Sequence, residues 1–145
     1  MNPIIRSILA VMAGWVTFVV LIVIIEGINS RIYQVDDSWQ QETDPVLRHE
    51  AVVKMMEELP DGAFAIVLLG YFIGTFAGAA LAAWIAGRFH VLHAGIIGVL
   101  SLLGTALNMA MLPHPVWMVV IGQLQPVPVS LLAGWLVTPH KKEHA

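Results

Sequence analysis

Four stretches without Asp, Glu, Lys or Arg alternate with polar segments along the chain: Ser7 to Ile25, Gly62 to Gly87, Val91 to Leu112 and Val116 to Val137. A helix needs roughly 20 apolar residues to cross a bilayer. Each stretch therefore predicts one membrane span, with limits near 5–27, 62–87, 91–112 and 116–138 and a loop over 28–61. The expected fold is all-α: a single domain built as a four-helix transmembrane bundle. A secretory leader is the competing reading of the first stretch, with Arg6 as its basic region. Its 19 apolar residues exceed the usual 7–15 of such leaders and no small-x-small cleavage site follows Ile25, which favours an uncleaved helix.

The polar segment has two halves. Ile28 to Gln41 mixes Tyr33, Val35 and Trp39 with Asp36, Asp37 and Ser38 and shows no clean period, which predicts a surface stretch with aromatics at headgroup depth. Asp44-Pro45 then reads as an N-cap followed by proline in the first helical turn. The helix it starts places Val52, Met55, Met56 and Leu59 on one side, ending at Pro60-Asp61-Gly62. A short amphipathic helix outside the membrane is thus expected between the first and second spans, resting on the bundle end or on the lipid surface.

Small residues recur at a step of four. Gly70, Gly74 and Gly78, continued by Ala82, form one ridge without side chains on the second span. Such ridges let helix backbones approach closely in lipid. Ser7, Ala10, Gly14 and Thr17 on the first span are the expected partner face. Gly122, Pro126, Ser130 and Gly134 make a second ridge on the fourth span, where Pro126 and Pro128 remove two backbone donors and predict a kink.

Composition fits this picture. Hydrophobic residues make up 58% of the 145 and charged residues 12%, against about 25% charged in soluble domains. Without cysteine, disulfides, thiolate metal sites and a cysteine nucleophile are excluded. Nine of the ten acids lie between Glu26 and Asp61, and no basic run exists, so nucleic acid is not an expected partner. Arg6, Arg88, Lys141 and Lys142 flank one face of the predicted bundle, against Arg31, with Arg48 and Lys54 inside the loop. The positive-inside rule then places both termini in the cytoplasm and the acidic loop outside.

Candidate chemistry is sparse. Glu26 is an ionisable group at a span, a functional candidate by default, although its place at the end of its run beside Arg31 also suits an interfacial carboxylate. Glu26, His49 and His114 could hold a divalent cation or relay protons, but they are scattered across the sequence and equally read as separate surface groups. The acids nearest the second span, Glu57, Glu58 and Asp61, return to the face of His114, where a site coupling Glu26 to His114 is expected if one exists. The pairs His90/His93 and His140/His144 have helical spacing without a supporting carboxylate, and read as interfacial side chains. Asn108, Gln123, Gln125, Ser101, Thr105 and Ser130 interrupt apolar runs, either as hydrogen-bonding glue or as the lining of a polar cavity. Trp84 and Trp135, with Trp39 and Trp117 at the other end, read as belt anchors. No nucleophile–histidine–acid set, P-loop or dinucleotide fingerprint occurs, so no enzyme, cofactor or metal is expected.

Ile24-Ile25-Glu26 closing the first span, Leu69 to Gly78 in the second, His93-Ala94 opening the third and Pro113-His114-Pro115-Val116-Trp117 before the fourth are the carriers of a resemblance. On them the chain resembles small four-span bacterial inner-membrane proteins, which implies fold and location. It departs from small multidrug transporters, which keep a glutamate in the middle of the first helix where Gly14, Trp15 and Val16 stand here. The expected role is a non-catalytic subunit whose ridges dock copies of itself or partner membrane helices. The alternative is a small transporter or ligand-binding protein with an outward-facing polar vestibule.

Overall fold

The computed structural model describes residues 2–34 and 37–139; Val35, Asp36, His140, Lys141, Lys142 and His144 of the sequence reading lie outside them. Six α-helices follow in order: α1 (Pro3–Ile32), α2 (Pro45–Glu58), α3 (Asp61–Ala86), α4 (His90–Met111), α5 (Val116–Leu124) and α6 (Pro126–Val137), with a 3₁₀ turn at Asp37–Gln40. No strand occurs among the described residues. Four helices, α1, α3, α4 and α5–α6 taken together, are long and apolar enough to cross a membrane. The chain is an all-α bundle and an integral, multi-pass membrane protein.

Local chemistry fixes the helix ends. Asn2 caps α1 by accepting from Ile4 N at 2.9 Å, and Asp44 Oδ1 caps α2 by accepting from Val46 N (2.8 Å) and Leu47 N (3.3 Å). Each cap satisfies amide donors that a helix start leaves over. α3 stops at Gly87, which takes the left-handed conformation at φ 67° that glycine adopts without steric cost. Arg6 reaches across from α1 to donate to Ile85 O at 2.6 Å, closing this end of the bundle.

One expectation is corrected. The first helix does not stop near residue 27, and 28–32 is not loop: α1 continues to Ile32, its last turn mostly exposed. A lone glycine at 27 lowers helix propensity without terminating a helix already formed, and Arg31 in the last turn suits the negative end of the helix dipole. The break in the fourth helix falls at Gln125, beside the prolines that predict a kink, where α5 gives way to α6. Gln125 keeps helical angles (φ −78°, ψ −33°) although proline follows it, and hydrogen bonds from Gln125 N to Ile121 O (3.0 Å) and Val129 N to Gln125 O (3.1 Å) carry the helix across. What is lost are the donations that Pro126 and Pro128 cannot make.

α3 is the central helix, packed against α1, α4 and α6. Its ridge lies against α1. A methyl group added at Gly78 would sit 2.5 Å from Gly14 O, and one at Gly74 would sit 3.2 Å from Phe18 O. One at Gly70 would meet Ile25 Cγ2 at 3.0 Å. The α1 stripe facing it is Ala10, Gly14 and Phe18; Thr17 stands beside it and donates to its own helix at Ala13 O, 2.9 Å. The second ridge meets α4: Gly122 abuts Met109, Ser130 and Pro126 abut Gly98, and a methyl at Gly134 would lie 2.6 Å from Ala94 Cβ. Both ridges are therefore occupied inside one chain.

Two apolar clusters follow. Ala79, Ala82, Ala83, Ala94, Ile97 and Ala133 fill the half near the termini, where small side chains let the helices close. Val52, Met56, Phe64, Tyr71 and Met118 fill the other half, so α2 lies on the bundle end through the face its sequence marked as apolar. Val67, which the helix pattern leaves facing lipid, packs against this second cluster as well.

Candidate functional site at the α2 end

The loop that carries α2 returns to α3 beside the α4–α5 turn, and this brings distant residues around one cavity. Met56, Glu57 and Leu59 at the end of α2, Asp61 and Phe64 at the start of α3, and Pro113-His114-Pro115 line a space of about 320 Å³. The prolines hold the turn outside helical conformation. His114 Nδ1 lies 2.7 Å from Leu112 O. A carbonyl only accepts, so Nδ1 carries the proton and Nε2 is left to accept from a ligand, or to donate when the ring is charged. The ring packs edge-on to Phe64, with centroids 6.1 Å apart. Trp117 Nε1 donates to Asp61 Oδ1 at 3.3 Å, tying the start of α5 to the start of α3 and leaving that carboxylate further acceptor capacity. Two carboxylates and an imidazole on a partly apolar cavity suit a small cation or a polar amphiphile.

Other residues singled out from sequence scatter. Glu58 pairs with Lys54 on a different side of α2. Glu26 does not line the His114 cavity, so the expected Glu26–His114 pair is not formed. It sits on an exposed part of α1 and acts electrostatically on the Tyr71 phenol, which donates to Asn108 Oδ1 at 3.1 Å. Among the described residues no hydrogen bond or ion pair joins Glu26 to another side chain, and α1 runs six residues beyond it, so it is not a helix-end group. His49 is exposed on α2, and among the described residues no three or more His, Asp or Glu side chains are grouped so as to hold a metal ion.

Inside the bundle, Gln123 Nε2 donates to Met109 Sδ (3.2 Å) and reaches Thr105 Oγ1 (3.5 Å). Ser130 donates to Val127 O at 2.8 Å, in its own helix. The Gln125 amide, Thr75 Oγ1 and Ser101 Oγ are buried without hydrogen-bond partners among the described residues. At the opposite end His93 is buried, 4% exposed, with Nδ1 3.0 Å from Phe89 O, and His90 Nδ1 lies 2.9 Å from Ala83 O. Both histidines bond back into the α3–α4 turn; His93 is buried rather than interfacial, while His90 is half-buried.

Sequence reasoning passed over Tyr71, Thr75 and Phe64. Tyr71 and Thr75 each follow a ridge glycine by one residue, a register that turns them toward the bundle interior. Phe64 lies one helical turn after Pro60, where a span beginning under α2 needs a bulky contact. Comparison with protein-family models, with curated proteins and with solved structures finds no match.

Proposed function

We propose that this multi-pass membrane protein is a non-catalytic binding protein, and that it takes a small cationic or polar solute at the α2 end. The observation that carries this reading is the gathering of Glu57, Asp61 and His114 around one cavity from segments more than 50 residues apart. A role as a self-associating or accessory subunit remains the second reading. It rests on the broad apolar surface of α1, and it loses the two ridges as docking faces, because both are covered within the chain.

The test uses n-butylammonium as probe on the detergent-purified protein. A ligand that binds the folded state raises its melting temperature with concentration. Butylammonium chloride should raise it saturably above equimolar sodium chloride, and Glu57→Gln with Asp61→Asn should abolish the difference. Equal shifts with the two salts would refute a cation site.

The flanking Arg and Lys support a bacterial inner-membrane orientation with cytoplasmic termini and α2 outside. Single cysteines replacing Gln41 and Asn2, both exposed, distinguish the sides. An impermeant maleimide applied to intact cells should label position 41 and spare position 2. Labelling at position 2 alone inverts the orientation and moves the proposed site to the cytoplasm.

A further inference from the structure

A second and larger cavity opens on the other side of α2. It encloses about 620 Å³ between α1 and α2, within the range of roughly 300–1,000 Å³ typical of small-ligand sites. Ile32 and Tyr33 at the end of α1, Trp39, and Lys54, Met55 and Glu58 of α2 line it. We propose that this cavity seats the headgroup of a zwitterionic phospholipid, its phosphate toward Lys54 and its ammonium toward Glu58.

Position, shape and charge all enter the argument. The cavity lies where α1 ends and α3 begins, the level at which spans leave the hydrocarbon, and Tyr33 and Trp39 are the ring types that favour that depth. Ile28 and Ile32 stay exposed along α1, 51% and 57%, and continue the apolar wall down the span as a track for acyl chains. Trp39 lines the cavity with its ring while its Nε1 is buried, so the ring is a reporter of what the cavity holds rather than a donor to it. Lys54 Nζ and Glu58 Oε1 stand 4.0 Å apart on one face of α2, both largely exposed. So exposed a pair holds itself weakly, and its two charges side by side match the phosphate–ammonium pair of the headgroup. An anionic headgroup would satisfy Lys54 but bring no cation to Glu58.

The test titrates the full chain in detergent micelles with dioctanoyl phosphatidylethanolamine, dioctanoyl phosphatidylglycerol, and phosphoethanolamine without acyl chains, following tryptophan emission. Phosphatidylethanolamine should give a saturable change that Trp39→Phe removes. Lys54→Gln should weaken it about tenfold, the loss expected with one charge-assisted hydrogen bond. Glu58→Gln should turn the preference toward phosphatidylglycerol. Both substituted side chains are solvent-exposed, and unchanged melting of these variants checks that the fold survives. Phosphoethanolamine binding as tightly as the lipid would place the ligand in water and overturn the lipid assignment. Equal affinity for the two lipids would overturn the charge match. An emission change that is absent, or that persists undiminished in Lys54→Gln or Trp39→Phe, would overturn the site.

Discussion

Gly78→Ala should destabilise the bundle by about 1–3 kcal/mol, the usual cost of overpacking, whereas Gly27→Ala should change it by less than about 0.5 kcal/mol. The added methyl at Gly78 would lie 2.5 Å from the carbonyl oxygen of Gly14. Backbone cannot rotate away as a side-chain end can, so α1 and α3 must separate, and the van der Waals contact that drives helix association in lipid weakens along the seam. Around Gly27 no atom lies within 4 Å of an added methyl. In water a glycine-to-alanine change would also alter helix propensity, but in a bilayer the backbone stays helical in separated and packed states alike, and that difference largely cancels. Gly14→Ala should cost at least as much, because its methyl would meet Gly78 O at 2.5 Å and also Ala82 Cβ at 2.8 Å. Gly70→Ala should fall between, because it meets the movable Ile25 side chain at 3.0 Å. Reversible unfolding in mixed micelles measures the series. Equal effects at positions 27 and 78 would contradict a close-packed seam.

The architecture was legible because apolar run length and step-four spacing are read along one chain. Four runs gave four spans, Asp44-Pro45 marked the start of α2, and the ridge residues turned out to lie at helix contacts. The partners of the ridges were less legible, since nothing in Gly70, Gly74 and Gly78 says whether α1 or another molecule covers them. The register was partly misread for the same reason: Phe18, too large for a small-residue face, fills the space beside Gly74 where Thr17 was expected. Glu26 misled because the uncharged run ends with it, while the helix continues through Arg31 to Ile32. Its electrostatic partner depends on tertiary placement, which brings Tyr71 from α3. The cavity around His114 was foreshadowed by acids returning to that face, but Phe64 and Trp117, which orient its imidazole and Asp61, carry no polar pattern that singles them out.

Met56→Asp should free α2 from the bundle while leaving the four spans packed. α2 is fastened by its apolar face: Val52 and Met56, each 9% exposed, meet Phe64, Tyr71 and Met118. Its polar contacts are local. Asp44 caps its own helix, Arg48 donates to Glu42 O at 2.6 Å, and Lys54 faces Glu58. Among the described residues no hydrogen bond or ion pair joins α2 to a span. Removing Met56 from that cluster forfeits roughly 1.5–3 kcal/mol of burial, and an aspartate there would add an unpaired buried charge, which the helix avoids by undocking. Free in water, 14 residues form a helix of marginal stability. Hydrogen exchange should therefore accelerate across 45–58 and remain slow in α3 and α4, whose contacts with α1 and α6 do not involve α2. Glu50→Lys, on the exposed side, should leave both regions unchanged. Because Met55 and Glu58 wall one cavity and Met56 and Glu57 the other, butylammonium and phosphatidylethanolamine binding should be lost together in Met56→Asp. Slow exchange persisting over 45–58, or faster exchange throughout the spans, would show that α2 is not a separately docked element.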